Sequence, residues 1–230
     1  DMHSSLVQQM DNFAWSGSRI IRSLFSFLER RALRSARSVI VICKTLQAYA
    51  TGIIPPERVT LIENFVDLSD EIHPEPQAVE AFRREWVPRN TCLSVYTGTL
   101  ETYQGIPLLL EALSLLPSHH HLLVAGGREE QIQAFQKEAD RLQIGDRVHW
   151  LGQVAQDRIP LLLQAADMLV SPRSRGTNIL LKIYQYLKSG KPVVATHLLT
   201  HTQTLTPDIS FLPDPEPRAF ARAMEQAAGP

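Results

Sequence analysis

The loop at residues 171–178 combines residue types that can bind phosphate. It follows a short apolar run and precedes an amphipathic segment, which predicts a strand, a loop and then a helix. Arg173 and Arg175 supply guanidinium donors whose geometry suits phosphate oxygens. Gly176 permits a tight backbone turn beside a ligand. This loop is therefore the strongest candidate for an anion-binding site.

The segment that follows is predicted to be a helix over residues 178–188, and it continues the same chemistry. Thr177 or Asn178 can cap this helix, leaving free amides and the positive end of the helix dipole to face a ligand. Lys182 lies four residues after Asn178, one turn along the same face. Gln185 carries donors and acceptors that suit a pair of sugar hydroxyls. A pyrophosphate is the predicted ligand, and the alternative is an ordinary capped helix with solvated arginines.

A second loop, residues 97–105, carries two glycines. Gly98 ends a predicted strand and Gly105 precedes a predicted helix, and both positions let the backbone approach a phosphate. The spacing matches neither the dinucleotide-binding fingerprint nor the P-loop. The alternative is that both glycines serve only the turn.

The histidines give little indication of a metal site. His197 and His201 are four residues apart, a spacing that would suit a metal on a helix, but no acidic or cysteine partner lies near them in the sequence. A loop or capping role is favoured for both. Residues 119–121 are three histidines and are predicted to form a polar turn. We expect no metal and no other cofactor.

Short apolar runs alternate with amphipathic segments from residue 91 onward. Such an alternation predicts right-handed crossovers and a doubly wound parallel sheet, in which ligands bind at the carboxyl ends of the strands near the switch point. The predicted strands are residues 92–96, 122–125, 148–151, 168–171, 192–195 and 209–212, and the predicted helices are residues 106–116, 129–142, 158–166, 178–188 and 216–227.

The front of the chain is organised differently. Residues 19–37 are predicted to form a helix with six arginines on its polar face. That face either contacts an anionic lipid surface or is simply solvated. Short strands are predicted at residues 39–43 and 59–62. The proline-containing stretch at residues 68–91 is the best candidate for a boundary, which predicts a partial domain over residues 1–67 and an α/β domain over residues 68–230.

Composition excludes several classes of protein. The chain has 230 residues, of which 44% are hydrophobic and 20% charged, values typical of soluble globular proteins. Its net charge of −1 does not indicate nucleic-acid binding, although residues 1–45 carry a net +4. No run approaches the roughly 18 apolar residues of a membrane helix, and the first residues do not predict a signal peptide. The two cysteines favour reduced thiols and a cytosolic location. Since Asp1 precedes Met2, we expect a piece of a longer protein.

Several stretches resemble the nucleotide-binding C-terminal domain of GT-B glycosyltransferases, specifically the retaining enzymes of family 4. The resemblance covers essentially residues 35–228 and is most specific over residues 171–196, above all Ser189–Ala195. It is supported by residues 96–100, 104–105, 123–127, 151–152 and 166–167, and upstream by residues 38–43 and 62–67.

The resemblance implies roles for individual residues in a donor site. Gln185 falls where the family has the second glutamate of its E-x7-E motif, which holds the donor ribose, and Thr177 falls at the first, near the donor sugar. Thr99 and Gln104 stand where many members have the arginine and lysine that clamp the pyrophosphate. His3 is similar in its surroundings to a histidine that faces the reacting sugar.

The usual cationic clamp is therefore absent, and other groups are expected to replace it. Arg173, Arg175 and Lys182 are the candidates, together with backbone amides at Gly98 and at residues 176–178. His3 and Thr177 are the expected catalytic residues. The remaining predicted donor-binding residues are Gly98, Thr99, Gln104, Arg173, Arg175, Gly176, Asn178, Lys182 and Gln185.

The resemblance implies a glycosyltransferase of the hexosyl type that moves a sugar from a nucleotide diphosphate sugar to an acceptor hydroxyl with retention, in glycan or polysaccharide biosynthesis. The expected partners are that donor, a glycan or lipid-linked acceptor and, through the basic helix, the inner face of a membrane. A cytoplasmic location is expected. The alternatives are a non-catalytic nucleotide-sugar-binding module and a sugar-nucleotide epimerase of the same fold.

Overall fold

The computed structural model describes residues 2–7, 10, 18–63, 74–176 and 180–229. These residues form two compact units, one of residues 2–63 with Gly176 and the other of residues 74–175 with residues 180–229. The domain boundary predicted at residue 67 falls in the stretch between the described parts, and it stays a prediction. Among the described residues, no helix has both the length and the apolar character needed to cross a lipid bilayer.

The main elements of the first unit among the described residues are α1 (Arg19–Ser35), β1 (Val39–Val41), α2 (Lys44–Thr51) and β2 (Val59–Leu61), in chain order. Strand β1 pairs in parallel with β2, and Met2 adds a single bridge to Val41 at the edge of β1. Cys43 lies outside the strand in which it was predicted, because β1 ends two residues earlier and Cys43 is the residue before a helix.

Most of the apolar residues of helix α1 are exposed. Ile20 is 81% exposed and Phe27 is 60% exposed, whereas Glu29 and Leu33 are buried. The carboxylate of Glu29 accepts hydrogen bonds from the Ser5 hydroxyl, the Leu6 amide and the Tyr49 hydroxyl. Those three donors explain how an acidic residue occupies the inward face.

The second unit alternates helices and strands as predicted. Its elements are α3 (Pro76–Trp86), β3 (Cys92–Thr97), α4 (Ile106–Ser114), β4 (His120–Ala125), α5 (Glu129–Arg141), β5 (Val148–Gly152), α6 (Ile159–Ala165), β6 (Met168–Ser171), α7 (Leu181–Lys188), β7 (Val193–Ala195), α8 (Leu199–Thr202) and α9 (Pro217–Ala227). Its five strands form one parallel sheet in the order β5-β4-β3-β6-β7. Two buried apolar clusters give the unit its core, one including Leu109 and Phe220 and the other including Leu162 and Ile183.

The strand order identifies the switch point of the sheet. From β3 the chain adds β4 and β5 on one side and then returns to add β6 and β7 on the other. The carboxyl ends of β3 and β6 are therefore where the loops diverge and leave a crevice. This places residues 98–105 and 172–175, two loops that the sequence singled out as candidate sites, beside each other.

Three predictions about elements of the second unit were also wrong. Residues 209–212 form no strand, because the run lies between Pro207 and Pro213 and only Phe211 pairs, through a single bridge to Val194. Strand β4 begins at His120 rather than Leu122, since pairing with β3 draws the histidines into the sheet. Helix α7 begins at Leu181 rather than residue 178, because Leu180 has extended backbone angles.

Candidate functional site

The loops that follow β3 and β6 are fastened to each other at the switch point. The amide of Ser174 donates to the Tyr103 carbonyl at 3.0 Å, and the Ser174 hydroxyl reaches the same oxygen at 3.3 Å. Gly105 lies against Pro172, whose carbonyl oxygen would be 1.9 Å from a Cβ at position 105. Only a glycine allows this approach, because any Cβ would collide with Pro172. The φ angle of Gly105, +75°, also favours glycine.

Lys182 extends from α7 towards the end of β3. Its ammonium donates to the Thr97 carbonyl at 3.2 Å and lies 4.1 Å from the centre of the Tyr96 ring. Tyr186, one turn along α7, lies on another side with its ring centre 6.0 Å away. Burial, followed by the nearby charge of Arg173, lowers the pKa of Lys182 to about 7. The group is therefore poised to gain charge when an anion arrives.

Arg173 supplies a second cation from the loop after β6. The residue is 5% exposed, its guanidinium lies 4.9 Å from the centre of the Tyr103 ring, and its Nε donates to the Arg175 carbonyl at 2.6 Å. Burial lowers its pKa as well. Within the part of the chain that the structure describes, no carboxylate pairs with Arg173 or with Lys182. A buried and a half-buried cation without a counter-charge are costly, and an anionic ligand would offset that cost.

Thr99 and Gln104 lie together in the loop after β3. The Gln104 side-chain nitrogen donates to the Thr99 hydroxyl at 3.3 Å. The Gln104 side-chain oxygen is buried and has no hydrogen-bond partner among the described residues. These two positions therefore hold a neutral, hydrogen-bonded pair.

The other predicted donor-site residues in this unit are Gly98, Arg175 and Gln185. The Gly98 amide already donates to the Ala125 carbonyl, so it is not available to a ligand as predicted, and the position of its missing Cβ is 3.6 Å from the Lys182 ammonium. Arg175 is exposed, and Gln185 is half-buried on α7.

The remaining predictions fall outside this unit or outside the described residues. His3 is exposed in the first unit, and Gly176, with φ of +124°, groups with that unit too. Thr177 and Asn178 lie outside the described residues. Their predicted capping of the helix therefore stays a prediction, while α7 is observed to begin at Leu181, after the extended Leu180.

Sequence reasoning missed the three tyrosines around the cations. Tyr96 is buried, and its hydroxyl donates to the Thr99 carbonyl at 2.7 Å. The buried Tyr186 hydroxyl accepts from the Thr97 amide at 2.9 Å. The available signals were a tyrosine near the end of a buried strand and the four-residue spacing from Lys182 to Tyr186, which places both on one helix face.

The structure gives the histidines other roles than metal binding. Both ring nitrogens of His201 are hydrogen-bonded, and His197 is exposed. No group of three or more histidine, cysteine, aspartate or glutamate side chains among the described residues could hold a metal ion. Cys43 and Cys92 are both free thiols.

The parallel sheet, its helices on both faces and the loops at its switch point define a doubly wound α/β protein. The family described as "Glycosyl transferases group 1" matches residues 92–229, and the chain belongs to that family. No curated protein matches the chain in sequence.

Solved structures share the GT-B fold of this chain. Anabaena Alr3699/HepE, solved with UDP and glucose, superposes with a TM-score of 0.83 at 19% identity, over 99% of this chain and 61% of that one. Sucrose-phosphate synthase from Thermosynechococcus elongatus gives 0.80 at 21% identity, over 97% and 56%. WaaG, a glycosyltransferase involved in lipopolysaccharide biosynthesis, gives 0.75 at 16% identity, over 99% and 65%. The chain thus spans less than two thirds of each of these proteins.

Proposed function

We propose that this chain carries the donor site of a retaining, family 4 glycosyltransferase. The reaction is transfer of a hexosyl group from a nucleotide diphosphate sugar to an acceptor hydroxyl, in glycan or polysaccharide biosynthesis, and it needs no bound metal. The family supports sugar transfer, and the Anabaena protein in complex with UDP-glucose supports this class of donor.

The observation that carries the proposal is the pair of cations at the switch point, the buried Arg173 and the half-buried Lys182. Arg173 lies in the loop after β6 and Lys182 in α7, the helix that follows on the same connection, and neither is paired with a carboxylate among the described residues. A diphosphate supplies the missing negative charge, and the two cations would stabilise the charge that develops as the nucleotide diphosphate departs. In this proposal Gln185 holds the ribose, Thr99 and Gln104 line the phosphate loop, and Arg175 faces the open side.

For the residues outside this cluster, the proposed roles are those predicted from the sequence. Thr177 is proposed to face the donor sugar, with Asn178 and Gly176 beside it on the loop after β6. His3, on the acceptor side, is proposed to face the reacting sugar. These groups position the two substrates more than they perform chemistry themselves.

Nucleotide binding tests the donor site directly. The chain is titrated with UDP, GDP and ADP, and binding is followed by calorimetry and by the thermal midpoint. We expect at least one of the three to bind, and we expect Lys182→Ala and Gln185→Ala to weaken it. Lys188→Ala, an exposed change at the far end of α7, is the matched control and is expected to bind like the wild type. If none of the three nucleotides binds, the donor site is rejected.

Turnover separates a transferase from a module that only binds. The chain is incubated with UDP-, GDP- and ADP-hexoses, with and without added glycan acceptors, and release of nucleotide diphosphate is measured. An acceptor-dependent release that Arg173→Ala reduces supports transfer. Binding without any release supports the non-catalytic module instead.

We also propose that α1 contacts an anionic membrane from the cytoplasmic side. Its exposed apolar residues, among them Ile20, Leu24 and Phe27, share the helix with exposed arginines such as Arg30 and Arg31. Apolar side chains can enter the headgroup region while arginines pair with lipid phosphates.

Vesicle sedimentation tests this contact. Phosphatidylcholine vesicles with phosphatidylglycerol are expected to bind the chain, vesicles of phosphatidylcholine alone to bind it less, and Phe27→Asp to abolish the difference. Leu115→Asp changes a similarly exposed apolar residue of the second unit and is expected to bind normally. Equal binding by both substituted proteins would reject the contact.

A further inference from the structure

A chain of buried hydrogen bonds runs from β6 through α8 to the backbone of Arg173. The Ser171 hydroxyl lies 2.9 Å from Nε2 of His201, and Nδ1 of His201 lies 2.8 Å from the Thr196 carbonyl. The Thr196 hydroxyl donates to the Arg173 carbonyl at 2.6 Å. Ser171, Thr196 and His201 have no exposed surface.

The directions of these hydrogen bonds follow from the carbonyl groups, which can only accept, and from the charge of His201. Because the Thr196 carbonyl has no proton, Nδ1 of His201 donates to it. Burial lowers the pKa of His201 to about 4, so the ring is neutral at pH 7 and its Nε2 accepts from the Ser171 hydroxyl. The Thr196 hydroxyl donates its own proton to the Arg173 carbonyl, so each of these groups has a hydrogen-bond partner.

We propose that Thr196 and His201 are positioning residues for Arg173 in the phosphate site. Pro172 and Arg173 lie in neither a helix nor a strand, so few backbone hydrogen bonds hold them. The Thr196 hydroxyl donates to the Arg173 carbonyl, and the amide of the next residue, Ser174, donates to the Tyr103 carbonyl. Both polar groups of the Arg173–Ser174 peptide are thereby fixed, and the Arg173 guanidinium lies over the Tyr103 ring.

This inference rests on the proposed function, because the position of Arg173 is expected to affect nucleotide binding. A fixed guanidinium loses less freedom when it grips a phosphate than a mobile one does. Without the Thr196 hydroxyl, the loop still connects β6 to α7, but the position of Arg173 is no longer unique. The expected loss is about tenfold in nucleotide affinity, the most that one neutral hydrogen bond commonly gives.

The test compares Thr196→Val, which removes the hydroxyl at nearly constant volume, with Thr196→Ser, which restores it. Thr91→Val is the matched control, because the Thr91 hydroxyl also donates at 2.6 Å to a loop carbonyl, that of Pro88, before β3. Thermal midpoint and nucleotide affinity are measured for each. Both valine variants are expected to lower the midpoint, but only Thr196→Val is expected to weaken binding, with Thr196→Ser and Thr91→Val close to the wild type.

A double-mutant cycle shows whether the effect passes through Arg173. In an Arg173→Met background, Thr196→Val is expected to cost no further affinity. An unchanged affinity in Thr196→Val, or the same loss with and without Arg173, overturns the proposal.

A measurement without nucleotide tests the positioning of Arg173 separately from the proposed function. The Nε–H proton of Arg173 is followed by nuclear magnetic resonance in the protein without nucleotide. It is expected to exchange slowly in the wild type and faster in Thr196→Val and His201→Phe. If the wild type binds no nucleotide, the donor site fails, while equal exchange in all three proteins would overturn the positioning role by itself.

Discussion

Lys182 is the residue at which charge and function are most closely coupled. With its pKa near 7, about half of the molecules carry the charge at neutral pH in the absence of ligand. A bound diphosphate favours the charged form, so the pKa rises in the complex. Below pH 7 the charge is already present, and above pH 7 binding must take up a proton. We therefore expect affinity to fall as pH rises above 7, by up to about tenfold per pH unit.

Calorimetry from about pH 6 to about pH 9 measures this dependence. Lys182→Arg is the matched control, because a guanidinium stays charged throughout and should show a nearly flat profile. Changing the buffer at pH 8 adds a second readout, since proton uptake alters the observed heat. A wild-type profile as flat as that of Lys182→Arg would show that Lys182 does not meet the ligand.

At the scale of elements, the close approach of two loops depends on Gly105. Gly105→Ala would strain a left-handed backbone and also drive a Cβ into the Pro172 carbonyl. Gly190→Ala is the matched control, since its φ of +72° is nearly the same but nothing lies within 4 Å of its Cβ position. Gly190→Ala is expected to cost about 1 kcal/mol of unfolding free energy, and Gly105→Ala at least about 2 kcal/mol more. Urea unfolding measures both, and equal losses would contradict the crowding argument.

Helix α1 depends on a buried acid rather than on a buried apolar face. Glu29→Ala would leave three donors, the Ser5 hydroxyl, the Leu6 amide and the Tyr49 hydroxyl, without their acceptor. The expected loss is about 2 kcal/mol from the first unit. Burial, and then the charge of Glu29, raise the pKa of Tyr49, so the variant should also lower that pKa in an ultraviolet titration. Glu57→Ala, an exposed change, is expected to move neither quantity.

The elements also show how far the sequence could predict this protein. Periodicity and chain breaks were enough to predict the parallel sheet and the loops after β3 and β6, but not that these two loops lie against each other. Periodicity could not reveal that Glu29 faces inward, because that depends on donors from distant residues. Nor could it give the starts of β4 and α7, which depend on pairing with β3 and on the extended backbone of Leu180. In the site, the cations were predicted from loop chemistry, whereas Tyr96 and Thr196 are assembled by the fold.

At the scale of the whole molecule, the second unit folds around histidines that are kept neutral. Burial lowers the pKa of His120, His121, His149 and His201, the last to about 4. The unfolded chain titrates its histidines near pH 6.5, so below that pH it binds more protons than the folded chain does. Stability is therefore expected to be complete above pH 6.5 and to decrease as pH falls, with His201 alone accounting for roughly 3 kcal/mol by pH 4.

Urea unfolding over this range tests the argument by difference, because carboxylates also titrate there. His201→Asn is expected to be less stable than the wild type at pH 7 but to lose less on acidification, since it removes the group that must be protonated. His197→Asn changes an exposed histidine and should keep the full wild-type dependence. If His201→Asn and His197→Asn show the same loss between pH 6.5 and pH 4, the acid sensitivity arises elsewhere, and the neutral His201 of the hydrogen-bonded chain contributes nothing to it.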